Sequence, residues 1–384
     1  MLKKGWTAYV FPIFLSLDIK HKIGGEEMDN TLYLVLENGK VFEGYSIGAK
    51  GTACGEVVFN TAVLGYNEAL TSQIYCGQLL VQTFPLIGNY GVIDEELDSK
   101  KPSLAAYIVK FISDSPSNFR TSGKLEEFLK RNNIIGLAGI DTRELTKVLR
   151  DEGTMNGKIT DDISDLNAIL NELKAFKAEI DTSVVSCSEP KTYDDGKNEF
   201  NVCMLDLGTS QASIETFTKN GICVTLLPYN TTYEKILSYN PDGVILSDGP
   251  GNPNDCSDTV DIAKKLYDNG TPIYGCGLGH EICALALDAK VVKHKFGHRG
   301  ANQPVKNTKN GKIYITTQNH GYIVDENTLP ASANVTFINV NDKTVEGFSA
   351  KNMITTQFAP NPCNGPHNTE YIIDEFKSIM NGEK

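Results

Sequence analysis

From residue 202 onward, short apolar runs alternate with amphipathic stretches, and only a few residues separate them. Strands are expected at 202–207, 223–227, 243–247 and 272–276, with helices at 210–220, 232–239 and 259–269 and another from 279. Near-continuous apolar strands joined through helices specify a parallel sheet covered on both faces. Ligands of such sheets sit beyond the carboxyl ends of the strands. Three loops leave those ends: 206–208, 247–253 and 275–281.

Upstream the rhythm is different. Short β-type runs at 32–36, 57–60, 79–84 and 105–112 alternate with glycine-rich turns. Helices are expected at 123–132, with Ser122 as cap and Leu125, Phe128 and Leu129 as its apolar stripe, and at 142–151, capped by Asp141. The polar, turn-rich stretch 186–199 reads as a linker, so the expected units are 28–185 and 200–384. Residues 1–27 carry Lys3 and Lys4 before an apolar stretch broken by Pro12. They read as an unstructured extension upstream of Met28 rather than an export signal, and they are too short for the ~20 residues of a membrane span.

Composition narrows the class. A chain of 384 residues suits two or three domains of ~150 residues. Its 36 basic and 48 acidic side chains leave a net charge of −12, with no basic face for nucleic acid and no membrane segment. Nine cysteines show no CxxC and no zinc spacing, which reads as reduced thiols in a cytoplasmic protein with no metal.

The loop 275–281 reads Gly-Cys-Gly-Leu-Gly-His-Glu. Glycines flanking a sharp strand-to-helix turn mark a nucleophile elbow, where the central side chain projects above the sheet beside a helix N-terminus. The central residue here is Gly277, which has no side chain to attack with. The loop 247–253 contains Gly249-Pro250-Gly251, whose backbone N–H groups could approach an anion closely or simply form a tight turn.

Several blocks, in order, carry a family resemblance: Gly55-Glu56-Val57-Val58-Phe59-Asn60-Thr61, Gly65-Tyr66-Asn67-Glu68, Ile87-Gly88-Asn89-Tyr90-Gly91, Ser117-Asn118-Phe119-Arg120 and Ile140-Asp141-Thr142-Arg143-Glu144. Gly249-Pro250-Gly251, Phe296-Gly297-His298-Arg299-Gly300, Gln318-Asn319-His320-Gly321-Tyr322 and Gly365-Pro366-His367 follow. With these the chain resembles the small, glutamine-hydrolysing subunit of carbamoyl phosphate synthetase. The resemblance implies an α/β protein: an N-terminal β-rich small-subunit domain, then a class I (triad-type) glutamine amidotransferase domain with a mostly parallel sheet flanked by helices. It implies a heterodimer with an ATP-using large subunit that makes carbamoyl phosphate for arginine and pyrimidine biosynthesis. No cofactor is then expected on this chain; ATP and Mg belong to the large subunit.

That family hydrolyses glutamine with Cys, His and Glu, and the matching positions here are Gly277, Ala359 and Asn361. The glutamine-pocket equivalents are Ile74, Gly249, Gly251, Leu278, Glu281, Asn319, Gly321 and Tyr322. Ile74 replaces a serine and Glu281 a glutamine, and Asp248 stands where asparagine is usual. Cys276 lies one position off the elbow and should point into the packing, because adjacent strand side chains face opposite ways. Cys283 reads as core, and Cys363 as a substitute nucleophile with nothing to activate it. His280, His298, His320 and His367 read as structural, and His294 as exposed between lysines. A silent small subunit is the favoured expectation. A working glutaminase with an unforeseen nucleophile, and a stand-alone module holding glutamine or another small molecule in the altered cleft, are the alternatives.

Overall fold

The computed structural model describes residues 30–99, 101–178, 180, 182–360 and 368–382. The expectations for 1–27, Asn361, Cys363 and His367 fall outside these residues.

The N-terminal part is a closed barrel of β1 (Thr31–Leu36), β2 (Val41–Ser46), β3 (Ala53–Asn60), β4 (Leu79–Gln82), β6 (Ala106–Ile108), β8 (Ile135–Ala138) and β9 (Met155–Thr160), in the order β1-β2-β8-β6-β4-β3-β9. Between β4 and β8, β5 (Leu86–Ile87) pairs with β7 (Phe111–Ile112) as a separate small ribbon. The expected run 105–112 is therefore split into two strands. Alternation sorts the side chains: Val57, Leu79, Val81 and Ile108 join one core, while Val58, Leu80 and Tyr107 join another. The second core includes Ala69 and Leu70 of α1 (Tyr66–Thr71) and Leu125, Phe128 and Leu129 of α2 (Leu125–Arg131). The expected cap of α2 is corrected. Ser122 Oγ bonds the Val92 carbonyl and Asp94, and Lys124 holds the cap position without a side-chain bond. Asp141 does cap α3 (Thr142–Glu152), accepting from the N–H groups of Arg143 and Glu144. α4 (Leu166–Ala175) follows the barrel.

The C-terminal part is a ten-stranded sheet. Its parallel half contains β11 (Phe200–Asp206), β12 (Ile222–Pro228), β13 (Gly243–Leu246), β14 (Ile273–Cys276) and β19 (Met353–Thr356), in the order β12-β11-β13-β14-β19. Leu278, Ile282 and Leu266 cover one face through α7 (Ser257–Asp268) and α8 (Leu278–Ala286), with α6 (Tyr233–Leu237) beside them. Phe217 and Phe376 cover the other through α5 (Gln211–Lys219) and α9 (Tyr371–Met380). Within 186–199, expected as a linker, β10 (Lys191–Tyr193) pairs antiparallel with β12 at the sheet edge.

Four further antiparallel strands, β15 (Val291–Asn307), β16 (Ile313–Val324), β17 (Ala333–Asn339) and β18 (Val345–Ala350), extend the sheet beyond β19. Strand–helix alternation does not reveal them. β15 is polar, and its register shifts between Lys293 and His298 and again between Gly300 and Gln303, so no clean period of two survives. This strand also joins the two parts. Lys293 Nζ lies 2.6 Å from Glu56 Oε1, the Thr154 N–H donates to the Lys295 carbonyl at 3.0 Å, and Thr61 Oγ1 donates to the Arg299 carbonyl at 3.3 Å. Among the described residues no helix is long and apolar enough to cross a membrane.

Candidate functional site

β14 ends at Cys276, and the chain turns through Gly277, at φ 53° and ψ −114°, directly into α8. Glycine adopts this backbone freely, whereas a side chain there would be strained. The elbow therefore keeps its shape without a nucleophile.

The place of that missing side chain is taken. A Cβ built on Gly277 would lie 2.0 Å from Asp248 Oδ1. The same oxygen accepts the Gly249 N–H at 2.8 Å and the Leu278 N–H at 3.1 Å. Two backbone donors converging at a helix N-terminus beside an elbow make an oxyanion-type site, and here a carboxylate of the chain itself occupies it. Asp248 keeps some exposed surface, but the protein closes around its carboxyl. Burial pushes it up to about 7, against the pull of its two N–H partners.

Ala359 follows β19 and lines two neighbouring cavities together with Asp248. Among the described lining residues there is no imidazole. The Cys276 sulfur contacts the Phe358 carbonyl at 3.6 Å, and burial, then the Asp248 charge, hold its thiol far above its ordinary value. Cys283 is fully buried in the core, with its thiol likewise pushed up. Cys54, Cys187, Cys203, Cys223, Cys256, Cys276 and Cys283 are free thiols.

The histidines divide sharply. His280 is enclosed, its Nδ1 is 2.8 Å from Thr355 Oγ1, and burial pushes it down to about 3. It is neutral. His298 is also buried, which opposes its charge, yet bonds to Asp342 (2.8 Å) and Glu346 (3.2 Å) raise it to about 9. Its Nδ1 also lies 3.2 Å from Nε2 of His320, a ring that burial keeps neutral. His294 is not exposed as expected. It is part-buried, accepting the Gly297 N–H on Nδ1 and facing Asp342 at 3.5 Å.

A cavity opens between the barrel and the sheet beside Asp248. Of the pocket equivalents, Ile74 and Asn319 line it, and Gly249 and Leu278 supply the two N–H donors. Gly251, Glu281, Gly321 and Tyr322 are not among its lining residues. Glu281, expected among the pocket equivalents, lies in the packing behind this wall. It is 3% exposed and accepts from Gln357 Nε2 at 3.1 Å, and burial pushes it up to about 8. Sequence reasoning missed Asp98 and Gln357 in this wall. Asp98 sits in a loop with no motif, and Gln357 was visible only as the neighbour of the lost histidine position.

The comparisons agree with this architecture. Residues 34–159 match the family model "Carbamoyl-phosphate synthase small chain, CPSase domain", and residues 203–379 match "Glutamine amidotransferase class-I". The carbamoyl phosphate synthase small chain of Clostridium perfringens is 45% identical over 345 residues, 89% of this chain and 97% of that one. That of Listeria monocytogenes is 40% identical over 354 residues, 91% of this chain and 97% of the relative. A solved structure, a glutamine amidotransferase of Thermotoga maritima, is 17% identical with a TM-score of 0.36, covering 48% of this chain and 85% of that one. Fold and elbow thus define a class I glutamine amidotransferase domain joined to a small-chain barrel. The chain belongs to the carbamoyl phosphate synthase small chain family.

Proposed function

We propose that this chain is a small subunit that no longer hydrolyses glutamine. It docks on the ATP-using large subunit of carbamoyl phosphate synthesis in the cytoplasm and leaves that subunit, with its ATP and Mg, to take nitrogen from free ammonia. One observation carries the reading: Asp248 Oδ1 fills both the side-chain space at Gly277 and the pair of N–H donors of Gly249 and Leu278. A carboxamide would find no sulfur to attack it and no vacant donors for its oxygen. The neighbouring thiol, Cys276, is held in its neutral form and lacks a base.

The test is ammonia release from L-glutamine by the chain purified together with its large subunit, alongside carbamoyl phosphate synthesis from ammonium chloride. Synthesis should depend on ammonium and not on glutamine. Glutamine turnover abolished by Cys276→Ser or Cys363→Ser would overturn the reading. Failure to co-purify with the large subunit would remove the docking half.

A further inference from the structure

The cavity beside the elbow has an uncompensated chemistry. Its wall brings together Glu68 from α1, Asp98 from the loop after β5, and Asp248. Asp98 raises the proton affinity of both others, so the three carboxylates sense one another through it. Among the described lining residues there is no lysine, arginine or histidine. Arg299, next to the lining residue Gly300, donates to the Phe296 carbonyl; its charge holds Glu56 down and reaches the lining phenol of Tyr75, but it is not among the charges that act on Glu68, Asp98 or Asp248. A second feature points the same way. Gln357, in the same wall, is 2% exposed; its amide Nε2 is spent on Glu281, while its Oε1 accepts from nothing. Glu68 Oε2 is also buried without a donor. Buried acceptors left unpaired cost stability, so each calls for a donor that the chain does not supply.

We propose that this cavity is a binding site for a small compound carrying a primary ammonium group. An ammonium head offers three donors and no acceptor, which suits carboxylates and orphan acceptors and excludes an incoming carboxylate. A bare metal ion fits less well. Among the described residues, the only sets of three side-chain ligand atoms within 4.8 Å of one another are His294–His298–Asp342 and His298–His320–Glu346, none of them in this wall. Carboxylates too far apart to converge on one ion can still share an extended organic cation. Asn319 Nδ2, a buried donor without an acceptor, leaves room for a hydroxyl or carbonyl at the other end. The proposal rests on the cleft having given up glutamine, but not on the choice of large subunit.

Binding should be linked to protons. Burial holds Glu68 at about 7, Asp98 at about 6 and Asp248 at about 7. Their titratable neighbours are Glu96, Tyr66 and Tyr90 around Glu68, and Glu281, Cys276 and Tyr274 around Asp248. The phenols and the thiol are pushed up and stay neutral. A cation must therefore displace protons from the three acids, and its affinity must rise with pH.

Calorimetry on the purified complex, with 1,4-diaminobutane, 2-aminoethanol, ammonium chloride, L-glutamine and calcium chloride as separate titrants, tests this. One amine site is expected, about tenfold tighter at pH 8 than at pH 6, with proton release. Ammonium chloride matching the organic amines would assign the site to the head group alone, and weaker ammonium binding would assign it to the whole amine. Either result supports the site. Asp98→Asn and, independently, Glu68→Gln should each weaken the amine at least about fivefold without lowering the melting temperature. Saturation by calcium but not by amines, or amine binding untouched by either variant, would overturn the inference while the silent-subunit reading stands. Glutamine hydrolysis would instead overturn that reading.

Discussion

Two buried regions of the same sheet handle charge in opposite ways. In the antiparallel arm, buried His298 of β15 lies between Glu346, also buried, and Asp342 at the exposed rim; His298 is raised to about 9, and Asp342 is held well below the carboxylate range by His294 and His298. There the two carboxylates share one imidazolium. At the elbow, Asp248 and Glu281 are enclosed by the same fold with no cation against them among the described residues, and burial pushes both acids up. Compensated buried charge reads as architecture, because removing one partner strands the other. Uncompensated buried acid does not hold a fold together. It is retained where the chain tolerates a proton or receives a cation from outside.

The sharpest way to break this contrast is to strand a charge in the arm. His298→Leu leaves Glu346, 0% exposed, without its imidazolium. The expected loss is about 3–5 kcal/mol, read as a lower urea midpoint with an unchanged slope. A loss below about 1 kcal/mol would mean that Gln318 and Asn339, which also bond Glu346, already neutralise it.

The elbow should respond to size before charge. Gly277→Cys puts a Cβ 2.0 Å from Asp248 Oδ1 and a side chain at φ 53°. Overpacking and backbone strain together should cost about 2–4 kcal/mol. Asp248→Gly in the same chain should recover the overpacking share, and a double-mutant cycle on melting separates the two. Additive effects would show that Asp248 does not occupy that space.

This contrast also marks what the sequence makes legible. The elbow was readable because one residue, Gly277, decides it: strand, turn and helix are local, and a missing side chain needs no coordinates. Asp141 as cap and four of the five parallel strands were legible for the same reason; β19 (Met353–Thr356), which no helix in the pattern announces, was not. Asp248 in the anion site was not, since its role depends on the Gly249 and Leu278 N–H groups, brought together from loops 30 residues apart. Nor was the arm, whose residues from 291 to 350 carry bulges and polar pairs instead of a period. Ser122 failed as a cap because the helix begins at Leu125, with Lys124 at the cap position, while the Ser122 hydroxyl donates to the Val92 carbonyl.

The smallest expected effect separates charge from shape at the elbow itself. Asp248→Asn keeps the oxygen that accepts from Gly249 and Leu278 and removes the ionisation. The unfolded chain releases this proton near ~4, while the folded chain holds it to about 7. The folded state therefore binds more protons across that window, and the wild-type chain loses stability as pH rises through it. His298 adds a second loss at higher pH: its raised value gives stability that is complete below about 6.5 and fades as pH passes about 9. Asp248→Asn should remove only the first. The variant should match the wild type near pH 4 and exceed it at pH 8 by about 1–2 kcal/mol, less than the ~4 kcal/mol that a rise from ~4 to about 7 would allow, because solvent reaches part of Asp248. Both chains should then decline in parallel toward pH 9. Melting curves across this range check it, and a variant with the wild-type pH profile would mean that the Asp248 carboxylate is ionised without cost, which is incompatible with an elbow short of positive charge.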